Sequence, residues 1–63
     1  MNIDNKFRIG SICSYISYIG MIVNIQYDDD YKKTFIKIKI PSLNQLYLYD
    51  HIDFLKYWDI LSY

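Results

Sequence analysis

Residues 33–40 read Lys33-Thr34-Phe35-Ile36-Lys37-Ile38-Lys39-Ile40. Successive side chains of an extended chain point to opposite faces, so Thr34, Ile36, Ile38 and Ile40 share one side and Lys33, Phe35, Lys37 and Lys39 the other. That is the pattern of a half-buried β-strand. Pro41 and Ser42 end it, because proline brings no N–H to a ladder. Before it, Asp28, Asp29 and Asp30 form a charged turn, since aspartate tolerates left-handed geometry and bonds neighbouring backbone. After it, residues 42–45 turn the chain again.

Outward from this strand the chain keeps the same rhythm. Gly20 starts a strand over residues 21–27, and Arg8 and Gly10 open an earlier one over residues 9–13, with residues 14–19 a loop or a curved hairpin arm. Residues 46–49 make a fourth strand. Asp50 caps a single helical turn over residues 51–54, and residues 57–61 return as a short fifth strand. One rival reading exists. Residues 9–27 carry no charge, and Ile9, Ile12, Ile16, Ile19 and Val23 fall at heptad spacing, as an amphipathic or membrane helix requires. Gly10 and Gly20 interrupt that run, five polar residues punctuate it, and its apolar content is β-branched and aromatic with no alanine or leucine. The strand reading prevails, and no membrane span is expected.

With 63 residues the chain is expected to be a single domain with a loose tail over residues 1–5. A core this small must recruit nearly every large side chain, which leaves little material for a deep, walled pocket. A surface that binds something fits the arithmetic better than an enzyme. The 12 Ile, 8 Tyr, 6 Lys and 4 Asn, against no alanine or glutamate, resemble the output of an AT-rich coding genome, so the tyrosine excess alone implies no function. Seven aspartates balance seven basic residues, so bulk attraction to nucleic acid or anionic lipid is not indicated. Cys13 stands alone and cannot form an intrachain disulfide. A reducing interior suits it. Residues 1–10 show no long apolar leader segment, and the second residue is Asn2 rather than the glycine that myristoylation needs, so a cytoplasmic location is expected.

Five short strands, tight turns and no long helix suggest an all-β fold, a small five-stranded barrel with one short helical turn near the C-terminus. The run Phe7-Arg8-Ile9-Gly10-Ser11-Ile12-Cys13, then Gly20 with Ile22 and Ile25, then Phe35-Ile36-Lys37-Ile38 and an aromatic, Asp-containing tail over residues 47–61 resembles the Src-homology-3-like (SH3-like, KOW-related) barrels of bacteriophages. The resemblance covers residues 6–61. It departs at Ser11, where the pattern often has Asp, and at residues 41–45, which replace a glycine-containing turn. It implies an SH3-like barrel acting as a binding module, a phage accessory protein in the host cytoplasm, rather than an enzyme. Tyr47-Leu48-Tyr49-Asp50 mimics part of a peptide-binding motif of eukaryotic signalling domains, but at the wrong end of the chain, so recognition of proline-rich peptides is not carried over.

Catalytic and metal constellations are sparse. Nucleophilic catalysis needs a thiol or hydroxyl beside a base, and Cys13 and His51 are the only such thiol and imidazole. A buried apolar cysteine and a histidine in a turn are the plainer reading. The Asp28-Asp29-Asp30 triplet offers carboxylates to a hard cation, yet adjacent acids in one turn rarely aim at one point. One Cys and one His cannot close a structural zinc site, and two glycines make no phosphate loop. No metal or cofactor is expected.

Two surfaces remain. A small barrel cannot bury all of Tyr15, Tyr18, Tyr47, Tyr49, Tyr57 and Trp58, and Tyr and Trp suit interfaces because they offer large area with few rotamers to lose. The leading expectation is therefore a protein–protein interaction module, self-association included, with Tyr15, Tyr18 and Trp58 as contacts. The alternative is a weak nucleic-acid-binding barrel in which Phe35, Lys37 and Lys39 form a cation-aromatic-cation ribbon, with one base stacked on the ring. Against it, the same lysines serve equally to keep strand edges from aggregating. A third expectation is a structural component of a larger assembly such as a virion.

Overall fold

Five strands, β1 (Ile12–Tyr15), β2 (Tyr18–Asp28), β3 (Lys33–Ile40), β4 (Gln45–Asp50) and β5 (Asp59–Ser62), with helix α1 (His51–Tyr57) between the last two, make up the described part of the chain. The computed structural model describes residues 7–62, so the tail expected over residues 1–5 lies outside it. The strands join in one antiparallel sheet of order β4-β3-β2-β1-β5. β3 spans the predicted residues. Ile36 and Ile38 are fully buried and Ile40 nearly so, while Lys33 and Lys39 are exposed and Phe35 and Lys37 half-buried.

β2 bends by a bulge. Ile22 pairs with Ile38 but Asn24 pairs with Lys37, which leaves Val23 as an extra residue in the strand. An extra residue shifts the alternation by one. Ile22 and Ile25 consequently both face the core side, and Asn24 goes to the lysine side. Simple alternation would have sent Asn24 inward.

The first strand begins later than its sequence suggests. Ser11 N–H donates to the Arg8 carbonyl at 2.9 Å, Arg8 N–H donates to Ser11 Oγ at 2.8 Å, and Gly10 takes φ +98°. Positive φ at the third residue is the demand of a type II turn, which glycine meets without strain. Ile9 is thereby thrown outward, 58% exposed, and β1 runs on to Tyr15. Tyr15 pairs with Tyr18, so Ile16 and Ser17 alone make the hairpin connection. Ile16 holds φ +56°, where a β-branched side chain is strained and glycine is favoured. Ile16→Gly is expected to stabilise the fold by about 1 kcal/mol, after the loss of chain entropy that glycine brings. A denaturation midpoint unchanged or lowered by the substitution would contradict that strain.

The helix is longer than the single turn expected over residues 51–54. Asp50 caps it as predicted, its Oδ1 accepting the N–H of Ile52 at 2.8 Å and of Asp53 at 3.0 Å. Asp53 in the first turn and Lys56 in the last complement the helix dipole, and Phe54 stacks on Trp58 one turn on. These contacts carry the helix to Tyr57, where Trp58 turns extended and its N–H closes on the Phe54 carbonyl at 2.8 Å. The Asp53 N–H above all, with Lys33 Nζ 3.4 Å away and the Ile52 N–H, holds the Asp50 carboxyl below its ordinary value against some desolvation. A carboxyl lowered in the folded state supports the fold above its unfolded pKa, and that support is lost as pH falls through the folded one. Protection of the Ile52 and Asp53 amides, relative to their intrinsic exchange rates, is therefore expected to fall in acid before protection in β3 does, and simultaneous loss of protection in both would contradict a local role for the cap.

The closed barrel of the sequence reading is corrected in one respect. β4 and β5 are the two edges of the sheet, and no pairing joins them among the described residues. Rings meet near the gap instead. Trp58, just before β5, meets Tyr49 of β4 with centroids 6.1 Å apart, and Tyr15 of β1 at 5.6 Å. The core beneath them is Phe7, Cys13, Ile22, Ile36, Ile38, Ile40, Phe54 and Trp58. No described helix is long and apolar enough to cross a membrane.

Candidate functional site

The pairing register sorts the six residues singled out from the sequence into two sets on opposite faces. Cys13 pairs with Gly20 and Tyr15 with Tyr18 on the concave side, where Trp58 also lies. Phe35, Lys37 and Lys39 lie on the convex side.

On the concave side, Tyr15, Tyr18 and Trp58 are brought together with Ile40, Leu43, Tyr47 and Tyr49 around a groove of about 220 Å³. The β1–β2 hairpin supplies Tyr15 and Tyr18, and the return from β3 into β4 supplies the next four residues. Trp58 forms the floor, 3% exposed, while Tyr18, Leu43 and Tyr47 stand at the rim, each nearly two-fifths exposed. Tyr15 is held between Trp58 and Tyr57, the latter edge-on at 5.9 Å. The hydroxyl of Tyr47 donates to Gln45 Oε1. Aromatic pairs at these distances contribute roughly 0.5–1.5 kcal/mol each beyond the area they bury, so the groove is pre-shaped.

One polar atom in this apolar setting is unsatisfied. Trp58 Nε1 is buried and meets no hydrogen-bond partner among the described residues. The ring's Cζ3 faces Gly20, 3.2 Å from where a Cβ would stand, and Nε1 lies on the opposite rim of the indole. The donor therefore points away from Gly20, and leaving a buried N–H unpaired costs roughly 1–3 kcal/mol.

Searches of protein-family models, curated proteins and solved structures find no match to this chain. On the convex side, Lys37 stands beside Leu48 and Asn24, and Lys39 beside Leu46 and Met21. Leu46 and Leu48 are more than half exposed. Phe35 lies in a hollow with Gln26, Asp28, Tyr31 and Leu48. This is a mixed face of leucine, lysine and acid rather than a continuous basic track.

Cys13 is fully buried, its Sγ 3.5 Å from the Gly20 carbonyl, and desolvation pushes the thiol up to about 11. At neutral pH it is a protonated, poor nucleophile. The His51 ring meets Phe7 edge-on at 5.7 Å. Labelling of Cys13 by a thiol reagent at neutral pH is expected to be at least about a hundredfold slower in the folded protein than in denaturant, and fast native labelling would contradict the burial. Asp28 Oδ1 accepts the N–H of Asp30 at 2.8 Å and of Tyr31 at 3.2 Å, so this carboxylate is engaged in shaping its own turn. No group of three His, Cys, Asp or Glu side chains suited to a metal gathers among the described residues.

The sequence reading placed Tyr47 and Tyr49 among the aromatics competing for the surface but did not assign them to a site, and it missed Ile40 and Leu43. Their signal was the alternation of leucine and tyrosine over residues 46–49, which puts both tyrosines on one face.

Proposed function

We propose that the chain is a non-catalytic protein-interaction module, an SH3-like barrel sealed by rings, whose concave groove receives a partner protein. The observation that carries this reading is the convergence of Tyr15, Tyr18, Tyr47, Tyr49 and Trp58 on one groove. An apolar side chain of the partner fills the groove between the rings. Burying rigid rings costs little rotamer entropy, so a few such residues supply most of the affinity of an interface. Four meandering strands, with a helix before a fifth that returns beside β1, are the features that support the SH3-like reading. The basic ribbon ranks second, because leucines lie beside its lysines where a phosphate backbone would need further cations.

The test is affinity capture from the source cell with the wild-type chain and with Tyr18→Ala, which alters the rim and spares the core. A specific protein retained by the first and lost at least tenfold by the second, with a shift in Trp58 emission on adding that protein, is the expected result. Equal capture by both chains, or release of the bound material by nuclease, overturns the groove.

A further inference from the structure

β4 is an edge strand with none of the usual protection. Its six residues, Gln45-Leu46-Tyr47-Leu48-Tyr49-Asp50, hold no lysine, no proline and no bulge, and the register with β3 is regular throughout. Edge strands are ordinarily blunted by such devices, because a free row of N–H and C=O groups is a template for another strand. β5, the opposite edge, is shorter, opens with Asp59 and departs from regular register near Ile60. Only an extended backbone supplies the alternating donors and acceptors that complete the β4 ladder.

We infer that β4 pairs antiparallel with β4 of a second copy of this chain, making one continuous sheet. The deciding feature is self-complementarity. Leu46-Tyr47-Leu48 reads the same in both directions, so a two-fold axis through Tyr47 sets Leu46 beside Leu48 of the second copy and Tyr47 beside its own counterpart. Because antiparallel partners share a face, the leucines of both copies gather on the convex side and the tyrosines on the concave side. Leu46 and Leu48, 57% and 62% exposed in one chain, gain the apolar neighbours they lack. Charge does not oppose the register. Asp50 of each copy falls opposite Asn44 of the other, and no charged side chain meets its like across the new ladder. A foreign strand would gain nothing from the palindrome.

The inference deepens the interaction-module reading, on which it rests, by naming one partner; it uses the outer edge of β4, whose Tyr47 and Tyr49 also line the groove. A single strand edge buries less than the roughly 800 Å² per partner of a standard interface, so the dimer is weak, with a dissociation constant on the order of 100 µM. Sedimentation equilibrium of the full chain from about 10 µM to about 1 mM tests it. Dimer formation over this range is expected, weakened at least tenfold by Leu48→Lys and unchanged by Leu61→Lys on the other edge, with circular dichroism verifying that both variants remain folded. Amides of β4 gain exchange protection at the higher concentrations. A chain that stays monomeric at the top of that range leaves the edge to a foreign strand and overturns the inference, as does a dimer that survives Leu48→Lys. The groove itself is read separately by Tyr18→Ala, because Tyr18 stands on β2, away from the β4 edge.

Discussion

Phe54→Ala is expected to abolish the cooperative thermal transition. Phe54 has no exposed surface, stacks on Trp58 with centroids 6.5 Å apart and an interplanar angle of 11°, and meets Phe7 at 5.3 Å. Truncating a buried phenylalanine costs about 3–5 kcal/mol in lost transfer energy and residual cavity. A domain of this size seldom holds more than about 3–5 kcal/mol in total. The site also lacks any means of collapse, because Phe54 is the buried residue of α1 and links the rings at one end of the core to those at the other. Far-ultraviolet circular dichroism against temperature checks the outcome. Phe54→Leu, which retains most of the volume, is expected to melt cooperatively with a loss of about 1–1.5 kcal/mol. A cooperative transition in the alanine variant near the wild-type midpoint would mean that α1 contributes little to the core.

Gly20 carries the second large effect. A Cβ at this position would stand 2.6 Å from Ile38 Cγ2, 3.2 Å from Trp58 Cζ3 and 3.3 Å from the Lys39 carbonyl oxygen. None of these neighbours gives way easily. Ile38 is fully buried and branched at Cβ, Trp58 is sandwiched between rings, and the third is backbone. Gly20→Ala is expected to cost about 2–3 kcal/mol, and Gly20→Val to prevent folding. Ile38→Leu, which has no methyl on Cβ, should recover at least about 1 kcal/mol in the Gly20→Ala background, a coupling that a double-mutant cycle measures. Independent effects would place the clash elsewhere. The same alanine presses on the indole, so Trp58 fluorescence is expected to change even where the variant remains folded.

Features controlled by short-range chemistry were legible in the sequence. The β3 alternation, the Asp28-centred turn and the Asp50 cap each follow from a few adjacent residues, and each stands where it was expected. Features that depend on distant chain were not. The Val23 bulge breaks the two-residue period inside β2, and the heptad spacing over residues 9–27 threads a turn at Ile9, β1 at Ile12, the hairpin connection at Ile16 and β2 at Ile19 and Val23. Arg8 to Ser11 reads as the opening of a strand until the buried Ser11 hydroxyl is seen fastening a turn. The contact of Trp58 with Tyr49, where no β4–β5 ladder forms among the described residues, comes directly after α1, whose length sequence periodicity underestimates because Leu55 and Tyr57 stay half-exposed. The groove was half visible. Tyr15, Tyr18 and Trp58 could be named as aromatic contacts, but their meeting with Leu43 and Tyr47 needed the strand order.

Because the seam between the two edges is fastened by the Tyr49 and Trp58 rings, it differs in kind from every other boundary of the sheet. Separating any adjacent strand pair means rupturing a cooperative row of main-chain bonds. The contact between Tyr49 and Trp58 is therefore made by side chains alone, where every other neighbouring pair in the sheet is joined by main-chain bonds.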